Sequence, residues 1–228
     1  MNKFHKIIIT SALVGSAHFV QGQHTQAFTS VEGYYQEGME LFDRQKYGAA
    51  QVAFARYVNL IHDDARTADA QYYYAVSGLY LLHGNAEKLI LDFASAHPTH
   101  PKASLAYFEL GLFEFNQKHY DKAIAYLEKV PADRLDNQQL KEADFKLAYS
   151  YFTQKKFDKA KVLFDRNKTG EHNYVYASNY YAGYLASRNG DYASAKKDLR
   201  VAEKMNRTAR WYLSCSLKYL TKKVIWTK

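Results

Sequence analysis

The sequence predicts an all-α protein built as an array of stacked helix pairs, and two observations carry that prediction. Apolar residues recur at spacings of three and four along most of the chain, the period of helices with one buried face. One short pattern, a polar turn leading into a small apolar residue, returns as Lys46-Tyr47-Gly48-Ala49-Ala50, Tyr120-Asp121-Lys122-Ala123, Lys156-Phe157-Asp158-Lys159-Ala160 and Gly190-Asp191-Tyr192-Ala193-Ser194-Ala195. A recurrence of that length is the signature of a repeat architecture. The composition agrees: 47% hydrophobic residues with three prolines and eleven glycines favour an ordered helical core over a disordered chain.

Residues 1–22 read as a signal peptide. Lys3, His5 and Lys6 form a short basic region, Ile7 to Val14 is largely apolar, and small residues follow at Gly15, Ser16, Ala17 and Gly22. Cleavage is expected after Gly22, with Ala17 as the alternative. A membrane anchor is the competing reading, but the apolar run falls short of the roughly 18 to 20 residues that span a bilayer. No cysteine stands here to carry a lipid, so the expectation is export to the periplasm or cell envelope with no transmembrane segment left after cleavage. Residues 23–30 are polar and are expected to form a flexible segment.

Helix pairs are then expected at 31–44 with 48–60, 66–83 with 86–96, 102–117 with 121–129, 138–154 with 158–166, and 173–188 with 192–204. Pro98 and Pro101 close the second pair and Pro131 the third, because proline lacks the N–H that continues a helix. Residues 205–228 form a basic tail. Its charge explains the balance of the whole: the formal net charge of +8 comes from Lys3, Lys6, Arg207, Arg210, Lys218, Lys222, Lys223 and Lys228, and residues 23–205 hold 23 basic and 23 acidic groups. A neutral body argues against a nucleic-acid partner. The single cysteine, Cys215, has no internal partner and reads as a small apolar residue.

At this point the chain resembles the tetratricopeptide repeat family, whose 34-residue unit places an aromatic at position 4, small residues at 8 and 20, and aromatics at 11 and 24. The third unit is similar through Tyr107, Leu110, Gly111, Ala123 and Leu127, with Glu114 where an aromatic is expected. The first fits through Tyr34, Gly38, Leu41, Ala50 and Phe54. The second fits through Tyr73, Val76, Ser77, Tyr80 and Phe93, with Leu89 in place of the expected Ala. The fourth carries Leu147, Ala148, Tyr151, Ala160 and Phe164 with Asp144 at an aromatic position, and the fifth Gly183, Ala195, Leu199 and Ala202 with Asn179 at an aromatic position. The small residues at Gly38, Ser77, Gly111, Ala148 and Gly183 then stand 39, 34, 37 and 35 residues apart. Tyr212, Cys215, Ser216 and Tyr219 continue the spacing, so the tail reads either as a partial sixth unit or cap, or as a remnant of a longer array open to self-association at the C-terminal end.

The resemblance implies a right-handed superhelical solenoid of about five helix-turn-helix repeats whose first helices line a partner-binding groove. Its groove positions fall on Tyr35, Tyr74, Phe108, Phe145 and Tyr180 in one column and on Met39, Leu112, Tyr149 and Tyr184, with Gly78, in another. This apolar, aromatic set is expected to grip a protein or peptide segment, with no carboxylate clamp of Lys and Asn. Other chemistry is sparse. His97 and His100 lie in a proline-bounded turn without a cysteine, Asp63-Asp64 suits a helix start, and Glu109 and Glu114 stand five apart, off a shared face. No phosphate loop or nucleophile elbow is present. The expected function is a non-catalytic interaction scaffold of the cell envelope without cofactor or metal. The alternatives are a fragment of a longer repeat protein, or a helical-repeat enzyme or glycan-handling protein.

Overall fold

The computed structural model describes residues 31–61 and 65–208, and among them are ten α-helices and no strand. They run as five antiparallel pairs: α1 (Val31–Asp43) with α2 (Tyr47–Leu60), α3 (Ala65–Tyr80) with α4 (Ala86–Ala96), α5 (Pro101–Asn116) with α6 (Tyr120–Leu127), α7 (Asn137–Thr153) with α8 (Phe157–Asn167), and α9 (Val175–Arg188) with α10 (Tyr192–Thr208). Helix α10 runs on to Thr208, so residues 205–208, assigned to the tail from sequence, are still helical. The signal-like stretch, residues 23–30, the Asp63-Asp64 pair, Cys215 and the rest of the tail lie outside the described residues.

All five hairpin turns share one geometry. The third residue past the first helix donates its N–H back across the last turn: Lys46 to Leu41 O at 2.8 Å, His83 to Gly78 O at 3.0 Å, His119 to Glu114 O, Lys156 to Tyr151 O and Asp191 to Ala186 O at 2.9 Å. The residue before it is left-handed, with φ of 57° at Gln45, 59° at Leu82, 64° at Lys118, 58° at Lys155 and 80° at Gly190. This is the C-terminal cap that usually selects glycine, yet only the fifth unit has one. Elsewhere the ends are conventional: Pro101 opens α5, and Asp136 with Gln139 forms a reciprocal capping box at α7.

Packing within a pair depends on a missing side chain. A Cβ on Gly38 would lie 2.7 Å from the Phe54 ring, on Gly111 2.5 Å from Leu127, and on Gly183 2.9 Å from Leu199. The turns correct the register of the second unit. The small residue stands seven before the left-handed one in the other four units, which selects Ala75 rather than Ser77. The second helix agrees: Ala86, Ile90 and Phe93 repeat the buried spacing of Ala50, Phe54 and Tyr57, and of Ala195, Leu199 and Ala202. The steps become 37 residues from Gly38 to Ala75, 36 to Gly111, 37 to Ala148 and 35 to Gly183. The sequence reading failed here because the turn through His83, Gly84 and Asn85 replaces the first turn of the second helix.

Each second helix packs on the next first helix, and the first helices also touch across layers, α1 to α3, α3 to α5 and α5 to α7, so they line the inner side. Rings seal the boundaries: Phe54 stacks on Tyr73 at 5.4 Å and Phe164 on Tyr181 at 5.1 Å. Polar residues at aromatic positions are buried with partners. Asp144 takes two hydrogen bonds from Arg166, one of 2.7 Å from Nε. Glu114 lies 2.7 Å from His119 Nδ1 and 3.7 Å from Lys122 Nζ, and Asn179 donates to Lys168 O and Val175 O. Such burial is tolerated because each group is satisfied.

Candidate partner-binding face

The two columns expected to form the groove have different fates. The first turns toward its own second helix. Tyr35 lies 6.1 Å from Phe54 and 5.4 Å from Tyr57, and Phe145 lies 6.0 Å from Phe164 and stacks on Tyr174 at 4.9 Å. Phe108 and Tyr180 are buried, at 3% and 7% exposure, so neither presents a surface. A side chain three residues before the small residue points partly between the helices of its own pair, where an aromatic ring is drawn into the core. Tyr72 holds this place in the second unit, 5.6 Å from Phe93, and the shifted register hid it. Tyr74 lies elsewhere, lining a cleft of about 440 Å³ with Val58 of α2 and Leu89 and Phe93 of α4.

The second column stays on the inner side. Met39, Leu112, Tyr149 and Tyr184 are half-buried, while Val76, which replaces Gly78 in the corrected register, is buried. Tyr149 meets Phe115 at 5.6 Å, Tyr120 at 5.7 Å and Tyr181 at 5.4 Å, and Tyr184 meets Phe152 at 5.6 Å. Between them opens a concavity of about 470 Å³, lined by Tyr149, Phe152, Thr153, Lys155, Phe157, Tyr184 and Arg188. The Arg188 guanidinium sits 4.3 Å above the Phe157 ring, which fixes a cation at the rim.

Several inner-side residues escaped the sequence reading. Tyr80 stacks on Tyr47 at 4.6 Å and donates a 2.8 Å hydrogen bond to Oε2 of Glu109. Lys146 pairs with Glu142 at 3.1 Å and lies 5.1 Å from the Phe115 ring. Burial raises the Glu109 carboxyl above the usual range and the nearby Glu142 charge adds to it, against the Tyr80 hydrogen bond and Lys146. Burial also pushes the Tyr35 and Tyr174 phenols up to about 12, so both stay protonated as donors across the physiological range. A signal for part of this set was available: Tyr47, Tyr120, Phe157 and Tyr192 each stand three residues before the buried alanine of the second helix.

The remaining candidates serve the fold. His97 Nε2 lies 2.8 Å from Gln71 Oε1, and His100 accepts from the Lys102 N–H at the start of α5 while its Nε2 lies 3.7 Å from Asp69. Glu109 faces the inner side and Glu114 the turn at His119, so they do not converge. Among the described residues no three His, Cys, Asp or Glu side chains gather as a metal site, and no helix is long and apolar enough to cross a membrane.

Comparison with known proteins agrees with this geometry. The tetratricopeptide repeat family model matches residues 105–133 and 142–166, the third and fourth helix pairs. No curated protein matches the sequence. Among solved structures, MamA from Desulfovibrio magneticus is similar with a TM-score of 0.58 and 15% identity, over 78% of this chain and 96% of that one. A second MamA structure gives 0.56 and 18% over 81% and 96%, and PilF of Pseudomonas aeruginosa 0.56 and 16% over 86% of each chain. At such identities the likeness is one of fold. The chain thus carries tetratricopeptide repeats at residues 105–133 and 142–166, and its other three helix pairs share their turn geometry.

Proposed function

We propose that this protein is a non-catalytic interaction scaffold that holds a segment of another protein against the inner side of its fourth and fifth units. The observation that carries this reading is the concavity between Tyr149 and Tyr184 with Lys155 and Arg188 at its rim. Aromatic rings offer large contact area at low entropy cost, and a cation beside them suits a segment that joins an apolar anchor to a carboxylate. The repeat architecture supports the same reading, since a stack of helix pairs creates an extended surface. The signal-like composition of residues 1–22 supports the periplasm or cell envelope as the site of this work.

The test is photo-crosslinking in envelope extract from a probe at position 153, in the lining of the same concavity, repeated with Tyr184→Ser and with Lys155→Glu. Both side chains are at least partly exposed, so circular dichroism should show the fold intact. A partner crosslinked by the parent, competed by its own peptide and lost in both variants supports the reading. Equal recovery by all three proteins overturns it.

A further inference from the structure

We propose that copies of this chain stack end to end, the α10 face of one receiving the α1 face of the next, so that the second copy continues the array. Two kinds of contact join a second helix to the next first helix inside one molecule. At the first boundary the residue after the buried alanine, Gln51, donates from Nε2 to the main-chain O of Tyr74 at 3.2 Å. The aromatic three residues before that alanine is covered by a ring of the next first helix, Tyr47 by Tyr80 at 4.6 Å and Tyr120 by Tyr149 at 5.7 Å.

In the fifth unit the same two places are Lys196 and Tyr192. Lys196 is exposed and Tyr192 is 66% exposed, because no described layer follows. On the leading face of the first unit, the residues equivalent to Tyr74 and Tyr149 are Glu37 and Met39. A second copy docked in the register of the internal layers therefore brings Lys196 to the main chain of Glu37, within reach of its carboxylate, and Tyr192 to Met39 and Asp43, which stand where Tyr149 and Tyr80 stand inside the array.

The two faces are complementary in charge as well. Helix α1 carries Glu32, Glu37, Glu40 and Asp43 and no base. Helix α10 exposes Lys196, Lys197, Arg200 and Lys204 against one exposed acid, Glu203. Among the described residues, Glu37, Asp43 and these four cations form no ion pair, whereas Glu32 and Glu40 are held by Arg66 and Arg44. Because the joined surfaces differ, the contact is heterologous and generates an open series rather than a closed dimer.

The experiment is sedimentation velocity on the purified chain across a concentration series at low and high salt. Assembly should grow with concentration as a ladder of sizes and weaken at high salt, where exposed pairs are screened. Glu37→Lys and Lys196→Glu should each weaken association about tenfold, and the double variant should restore it. Tyr192→Ser should weaken it without changing the salt dependence. A monomer at every concentration, a species that stops at two copies, or association unmoved by both charge reversals overturns the proposal. This inference is independent of the partner-binding reading, since none of its residues lines the concavity.

Discussion

Phe54 and Tyr73 lie stacked across the first layer boundary, centroids 5.4 Å apart and planes 16° from parallel, and the Cδ1, Cε1 and Cζ atoms of Phe54 lie against Gly38. The ring is fully buried, so it has little room to yield. Gly38→Ala should therefore destabilise the protein despite alanine's better helix propensity. Overpacking costs about 1 to 3 kcal/mol, against a gain of roughly 1 kcal/mol from removing a helical glycine. Thermal melting should show a lower Tm for this variant. Ala148→Gly, at the position where a methyl is already accommodated, should also lower the Tm, through propensity and a small void.

The left-handed caps lead to the opposite kind of prediction. Lys118 has φ of 64° and is exposed, and its side chain forms no hydrogen bond or ion pair among the described residues. Left-handed backbone costs an L residue about 1 to 2 kcal/mol, while glycine's extra unfolded freedom returns about 0.4 to 1 kcal/mol. Lys118→Gly should raise stability by several tenths of a kcal/mol or more. Gly190→Ala should lower it, and urea denaturation of the two variants checks both signs.

The sequence made the pairs legible because helix period and turn chemistry are local: all five pairs follow from spacing, and so do the small residues Gly38, Gly111, Ala148 and Gly183. The second unit was misread where a turn of His83-Gly84-Asn85 takes the place of helix, a change that alters phase without altering composition. Of the two columns, only the second was legible as facing the inner side, where Met39, Leu112, Tyr149 and Tyr184 stay half-buried. Whether Phe108 or Tyr180 faces inward or outward is settled by what stands opposite, Leu127 and Ala143 for Phe108, and those neighbours come from other helices. Tyr80 and Glu109 meet across 29 residues, a pairing no local pattern announces.

Asp144 occupies an aromatic position and is buried, with its charge met by Arg166 of the paired helix. Removing the cation leaves a carboxylate in the core without its partner. Arg166→Met should cost on the order of 3 kcal/mol, since breaking a buried pair from one side is more damaging than replacing it. Adding Asp144→Leu to that variant should recover most of the loss. A double-mutant cycle by chemical denaturation measures the coupling, and additive losses would show that the pair acts as two independent surface groups.

Two carboxylates should give opposite pH signatures. Burial, the largest cause, raises the folded pKa of Glu109 above its ordinary 4.5, so its contribution to stability is present below that value and is lost as pH rises through the raised one. A hydrogen bond from Tyr126, the largest cause at Glu87, with Lys122 assisting, lowers the folded pKa below 4.5, so that contribution is present above 4.5 and is lost as pH falls. Glu109→Gln should therefore gain on the parent as pH is raised from about 4 to about 7, since glutamine keeps an acceptor for Tyr80 without the buried charge. Glu87→Gln should be weaker than the parent near neutral pH and converge with it in acid. Urea titrations of all three proteins across this range decide it: parallel stability curves would mean that neither carboxylate changes its proton affinity on folding, and that the Tyr80 to Glu109 and Tyr126 to Glu87 contacts carry no charge-dependent stability.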